Sequence, residues 1–222
     1  VLLLIDHHQE WRDVVPGVEW GLGRLRKRLG AFGNIRPIRM APSLLTRSAL
    51  RAEICADTDI VILRELTGEI YFGARHEYDE QSDAASDTDT YTRAEIQRVT
   101  RLAGILASRS DPPRQVTSVD KANVLAACGR LWRNVVNQTM TAEFPRVPLR
   151  HILVDTAAME LVTKPRNLNG IVLTSNMFGD ILSDEASAII GSIGMLPSAS
   201  LSDLPSATKL TVQGLYEPAH GG

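Results

Sequence analysis

Short apolar runs and longer amphipathic stretches take turns along this chain. Strand-like runs fall at Val1–Ile5, Asp59–Leu63, Gln115–Val119, His151–Val154 and Gly170–Thr174. Between them, Leu22, Leu25, Leu29 and Phe32 recur every three to four residues, as do Ile96, Val99, Ala103 and Leu106. That spacing places each set on one helix face. The second set follows Thr92 and Glu95, which have the spacing of a capping box. Further helices are predicted over Ala122–Thr139 and Met177–Ile190. Alternating strands and helices predict an α/β architecture with much parallel sheet. Glu77–Asp89 is acidic, rich in small residues and without periodicity, and reads as a loop. No internal repeat is visible.

Composition adds bounds. The 222 residues are 44% hydrophobic and 23% charged, enough for one large domain or two small ones. A net charge of -2 gives no reason to expect nucleic acid or an anionic membrane as partner. No apolar run approaches the roughly 20 residues of a membrane span, and no signal peptide is visible. Cys55 and Cys128 read as buried thiols of a reducing cytoplasm. The chain opens on an apolar strand without Met and stops at Ala219-His-Gly-Gly222, in a loop, so a piece of a longer protein is expected.

Candidate chemistry centres on carboxylates. Asp180 and Asp184 lie one helical turn apart on one face, where like charges repel. A cation held by oxygen ligands, Mg²⁺ or Mn²⁺, would relieve that repulsion, with Asp155 at a strand end as a third donor. Ordinary helix-terminal, capping and solvated roles fit the spacing equally well. Arg26, Arg36 and Arg64 could hold a di-acid bidentately, although a Lys/Arg run such as 24–28 is usually a solvated face. Lys121 at a strand end and Tyr71 in a Gly-flanked turn are candidate proton carriers, or simply a paired lysine and a packed aromatic. The histidines lack metal spacing, adjacent His7 and His8 included, and neither a Gly-x-Gly-x-x-Gly fingerprint nor a P-loop occurs.

Six motifs in order resemble the isocitrate/isopropylmalate β-decarboxylating dehydrogenase family. They are Arg64-Glu-Leu-Thr-Gly-Glu-Ile-Tyr-Phe-Gly73, Ser118-Val-Asp-Lys-Ala-Asn-Val124, Val154-Asp-Thr-Ala-Ala-Met159, Asn176-Met-Phe-Gly-Asp-Ile-Leu-Ser-Asp184, Gly194-Met-Leu-Pro-Ser-Ala-Ser200 and Tyr216-Glu-Pro-Ala-His-Gly221. The first favours the isopropylmalate branch. The resemblance implies a two-domain fold with a parallel or mixed sheet flanked by helices. Residues 1–31 and 191–222 then belong to a nucleotide-binding domain cut at both ends, and 32–190 form the second domain. It implies oxidative decarboxylation of 3-isopropylmalate to 4-methyl-2-oxopentanoate with NAD⁺ reduction, in cytoplasmic leucine biosynthesis. The alternatives are another malate-type substrate (tartrate, malate or isocitrate) or a non-catalytic dimerising fragment.

By the same resemblance, Arg26, Arg36 and Arg64 bind the substrate carboxylates, while Leu22 and Val124 line its pocket. Tyr71 and Lys121 move protons. Asp155, Asp180 and Asp184 bind Mg²⁺ or Mn²⁺. Glu19, Asn123, Glu217, His220 and Gly221 serve NAD. Lys121 and Asp155 come from the partner subunit of a homodimer. The chain departs from the family pattern at His7-His8-Gln9-Glu10, Gly23, Gly222 and Glu69, the last standing where a second glycine is common.

Overall fold

The computed structural model describes residues 18–191, 194, 196–206, 208 and 211–218, with side chains from residue 21 onward. The strand expected at Val1–Ile5, the His7–Glu10 segment, His220, Gly221 and Gly222 lie outside the described residues. In chain order the elements are α1 (Val18–Leu29), β1 (Gly33–Arg39), α2 (Ala52–Cys55), β2 (Asp59–Glu65), β3 (Arg75–Asp79), β4 (Ala84–Asp87), α3 (Arg93–Ala107) and β5 (Val116–Asp120). They continue with α4 (Ala126–Glu143), β6 (Leu149–Leu153), α5 (Val154–Thr163), β7 (Gly170–Thr174), α6 (Asn176–Ile189), β8 (Pro197–Leu201) and β9 (Gly214–Pro218).

One seven-stranded sheet runs in the order β6-β5-β7-β2-β1-β8-β9. The β6-β5-β7-β2 part is parallel, and β2-β1, β1-β8 and β8-β9 are antiparallel. Strands β2, β5 and β7 are buried on both faces, as the period of two shows. Leu63, Val116, Ile171 and Leu173 pack with Ile96, Val99 and Leu102 of α3 and Trp132, Val135 and Val136 of α4. Their neighbours Ile60, Ile62, Val119 and Val172 turn to the other face, against Ala157 and Leu161 of α5 and Leu182, Ala186 and Ile189 of α6. This is the expected α/β architecture, with a mixed sheet flanked by helices.

Several boundaries differ from the sequence reading. The helix read from Ala122 starts at Ala126, because Lys121–Leu125 first make a turn closed by Leu125 N–H to Lys121 O at 2.8 Å. The Asp120 carboxylate steadies that turn by accepting from Ala122 N–H at 2.9 Å. The strand read as His151–Val154 ends at Leu153, and Val154 already begins α5. Asp155 therefore sits in the first turn of a helix, where a carboxylate is favoured. Thr92 and Glu95 do form the capping box of α3. The 77–89 loop is in part the exposed β3–β4 hairpin. Its strands bury no face, so no alternation marked them, and cross-strand polar contacts such as Arg75–Asp87 at 3.3 Å tie it.

Strand β1 was hidden by its Arg residues and Pro37, which reads against a central strand. Strand β8 pairs only with Gly33, Asn34 and Ile35, so the ladder on that side has ended before Pro37. Cys55 is buried as expected, whereas Cys128 is only half-buried.

Candidate active site

Parallel order brings the carboxyl ends of β2, β5, β6 and β7 to one edge of the sheet. Ligand sites of open α/β sheets form there, because the loops leaving the strands diverge at that edge. Arg64 is the penultimate residue of β2, Asp120 ends β5 with Lys121 next, Asp155 follows β6, and Ser175 and Asn176 follow β7. Antiparallel β1 brings Asn34 opposite Arg64 at the same edge.

Two guanidinium groups form the centre. Arg64 and Arg36 are only 4% and 6% exposed. Arg64 Nε donates to Asn176 Oδ1 at 2.9 Å, and its Nη1 pairs with Asp180. Arg36 Nε donates to Asn34 Oδ1 at 2.9 Å and Nη1 to Ser183 Oγ at 2.5 Å. Arg36 also lies 3.4 Å from Asp184 and 3.9 Å from Asp180. Asn34 is itself fixed by donating to Ser198 and Ser200 of β8, at 2.7 and 3.0 Å. Burial holds both guanidinium pKa values below the ordinary arginine value, and Arg64 adds repulsion on Arg36, while the aspartates oppose the shift. Removing the carboxylates would leave two like charges in a dry pocket.

Asp180 and Asp184 stand one turn apart on α6. Burial raises the Asp184 pKa, with repulsion from Asp180 in the same direction and Arg36 opposing. Tyr71 closes the cluster, its hydroxyl donating to Asp180 Oδ2 at 2.9 Å and its ring 5.4 Å from the Arg64 guanidinium carbon. Burial, with the bond to Asp180, raises the phenol pKa and keeps it protonated. Gly179 makes this packing possible, since a Cβ there would lie 2.3 Å from Thr174 Oγ1 and 2.7 Å from Arg64 Cβ.

Arg36, Arg64, Tyr71, Asp180 and Asp184 thus meet in one cluster. Lys121 and Asp155 pair with each other instead, at 2.8 Å, and the bond to Lys121 lowers the Asp155 pKa. Among the described residues no three His, Cys, Asp or Glu side chains gather closely enough to hold a metal ion. Arg26 reaches Glu217 on β9 at 2.8 Å, while Asn123 and Val124 point to solvent and Leu22 is half-buried. The side chain of Glu19 lies outside those described, as do His220 and Gly221.

Sequence reasoning missed the supports. Asn34, Asn176 and Ser183 orient the guanidinium groups. Arg133 grips Asp120 with two bonds of 2.7 and 2.9 Å, directly behind Lys121. Asn176 carried a signal, a polar residue opening a helix straight after a buried strand. Asn34 lies only two residues from Arg36, but the Ser198 and Ser200 hydroxyls that fix it are remote in sequence, and Arg133 stands 13 residues from Asp120.

A guanidinium pair thus faces a carboxylate pair at the carboxyl edge of a sheet covered by helices. The chain belongs to the isocitrate/isopropylmalate dehydrogenase family, whose model matches residues 7–222. It is 61% identical over 215 residues to 3-isopropylmalate dehydrogenase AMT6 of Alternaria alternata, covering 96% of this chain and 58% of that protein. It is 57% identical over 210 residues to 3-isopropylmalate dehydrogenase of Diutina rugosa, covering 94% and 57%. The fold resembles isocitrate dehydrogenase from Methylococcus capsulatus, with a TM-score of 0.72 and 29% identity over 87% of this chain and 52% of that one. The chain therefore spans a little under three-fifths of the length of these curated relatives.

Proposed function

We propose that this chain carries the substrate and metal residues of an NAD-dependent enzyme that oxidises and decarboxylates 3-isopropylmalate to 4-methyl-2-oxopentanoate, in leucine biosynthesis in the cytoplasm. One observation carries the reading. Two buried arginines, fixed by asparagine and serine side chains, face two aspartates and a tyrosine hydroxyl. A substrate with two carboxylates matches the arginines, and a hydroxyl beside one of them falls to the aspartates. The names of the relatives supply the substrate.

The donors suit a hard divalent cation in part. Asp180 and Asp184 offer carboxylate oxygen; burial first, and repulsion from Asp180 after it, raises the Asp184 pKa, and a bound cation would favour the ionised carboxylate against both. A third donor must come from elsewhere, and Asp155, exposed at the sheet edge, fits a role across a subunit boundary. Mg²⁺ or Mn²⁺ bound here would polarise the substrate 2-hydroxyl and later its oxo group, with NAD⁺ as hydride acceptor. Arg26, Arg36 and Arg64 hold the carboxylates, and Leu22 and Val124 bound the alkyl arm. Lys121 helps to move the hydroxyl proton, a role it can take only out of its ion pair with Asp155. Tyr71, kept protonated by its surroundings, gives one to the carbon that loses CO₂. Glu19, Asn123, Glu217, His220 and Gly221 would meet the nucleotide. Residues 32–190 form the substrate and dimer portion, with 1–31 and 191–222 belonging to the nucleotide portion. The reading includes a homodimer. Met159 and Val162, three apart on α5, and Ile181 on the adjoining α6 are exposed apolar side chains that support it.

The test is a substrate panel. The purified protein with NAD⁺ and Mg²⁺ or Mn²⁺ is offered 3-isopropylmalate, isocitrate, malate and tartrate, and NADH is followed by absorbance. 3-Isopropylmalate should give the highest kcat/KM. No NADH from it with either metal would overturn the assignment, and preference for another member would move it within the family.

A further inference from the structure

The turn carrying Tyr71 contains a residue under strain. Glu69 has φ +70, the left-handed region that disfavours a side chain, and it is 2% exposed. Such an arrangement persists only where its surroundings hold it from several sides. Its N–H donates to Thr90 O at 2.9 Å, and its own carbonyl accepts from Phe72 and Gly73 at 3.1 and 3.0 Å. Its carboxyl reaches across to the start of α6, accepting from Ser175 Oγ at 2.6 Å and from the Met177 N–H. Ser175 occupies the N-cap position of α6 yet makes no cap bond of its own, so Glu69 satisfies a helix-terminal donor from another part of the chain. On the far side the turn is pinned by close approach, since a Cβ on Gly73 would lie 1.7 Å from Thr88 O.

We propose that Glu69 is a positioning residue for Tyr71, a side-chain clamp that bolts the Tyr71 turn to the first turn of α6 and so fixes the phenol against Asp180. The clamp and the phenol are consecutive links between the same two elements. Glu69 grips α6 at Ser175 and Met177, and two residues later Tyr71 grips it one turn onward at Asp180. The inference rests on the function proposed above only for the role of Tyr71. A glycine at this position would relax the backbone and remove the clamp together, two effects of opposite sign on stability. Glutamine would keep the clamp, its oxygen accepting from Met177 N–H and its amide donating to Ser175 Oγ.

The experiment compares the full chain with Glu69→Gly, Glu69→Gln, Tyr71→Phe and the Glu69→Gly/Tyr71→Phe double variant. Hydrogen exchange of segments 69–73 and 176–180, without substrate, cofactor or metal, should rise about fivefold in Glu69→Gly, the size of a lost helix cap, and stay near wild type in Glu69→Gln. In turnover, Glu69→Gly should lower kcat about fivefold with KM unchanged, add nothing in the Tyr71→Phe background, and be rescued by Glu69→Gln. Wild-type exchange in Glu69→Gly, an equal defect in both Glu69 variants, or a loss confined to KM would overturn the proposal. Absence of turnover in the wild type would instead overturn the assigned reaction, and the ligand-free exchange arm would still decide the clamp.

Discussion

Gly179→Ala adds one methyl group to the first turns of α6 where Arg64 lies across the helix. The new Cβ would meet Thr174 Oγ1 at 2.3 Å and Arg64 Cβ and Cγ at 2.7 Å each. Ordinary contacts are about 3.5–4.0 Å, so something must move by about 1 Å. Thr174 is fully buried, and the first carbon of Arg64 cannot shift without its backbone on β2. Overpacking of this kind costs about 1–3 kcal/mol, and the upper end applies where no neighbour is a free side-chain tip. Alanine recovers about 1 kcal/mol of helix propensity. The net loss is about 2 kcal/mol, or a fall of about 4–8 °C in Tm for a chain of this length. The displaced guanidinium should also weaken di-acid binding by about tenfold, the lower end for a lost charge-assisted bond. Thermal unfolding followed by circular dichroism and calorimetric titration with 3-isopropylmalate read the two effects. A Tm at or above wild type with unchanged affinity would refute the packing argument and the place given to Arg64.

Other consequences can be checked one at a time. Asp180→Asn takes the shared counter-charge from Arg36 and Arg64. Asp180 is partly exposed, so the discounted cost is about 1–3 kcal/mol by denaturant unfolding, and Mg²⁺ should no longer raise Tm. Arg133→Ala leaves Asp120 buried with only a backbone donor, and Tm should fall as for a loss of about 1–2 kcal/mol. Burial lowers the His151 pKa, with Asp120 opposing and Arg133 assisting, so the unfolded chain binds the proton first. The resulting stability is full above the unfolded value of about 6.5 and is lost as pH falls through the lower folded value. His151→Gln should flatten that limb of a Tm-versus-pH curve. Met159→Asp should leave the circular dichroism spectrum unchanged and convert a dimer into monomers by light scattering.

What the sequence made legible follows from which forces are local. Strand β7 and the capping box of α3 came through intact, because a fully buried strand and a helix start each write their reason into neighbouring residues. Strands β1 and β8 did not, since their partners are remote and their residues are polar, small or proline. The same division runs through the site. The four-residue spacing of Asp180 and Asp184 was visible, but its companions Arg36 and Arg64 are joined to it by sheet topology alone. Residue chemistry made them candidates and resemblance gave them a role, but spacing could not join them to the aspartates. Lys121 and Asp155 were expected to serve the same site, and in this chain they satisfy one another instead. Glu69 was noticed as a departure from pattern, and only the structure gives that departure a partner, at the start of α6.

The central claim is a site built from Arg36, Arg64, Tyr71, Asp180 and Asp184 of one chain with Lys121 and Asp155 of a second. Subunit complementation measures it directly. Lys121→Ala and Asp180→Asn proteins, each inactive alone, are mixed under conditions of subunit exchange and assayed for NADH formation from 3-isopropylmalate. Half the dimers would be hybrids with one intact site of two, so activity should recover to about a quarter of wild type. No recovery from verified hybrid dimers would contradict the shared site.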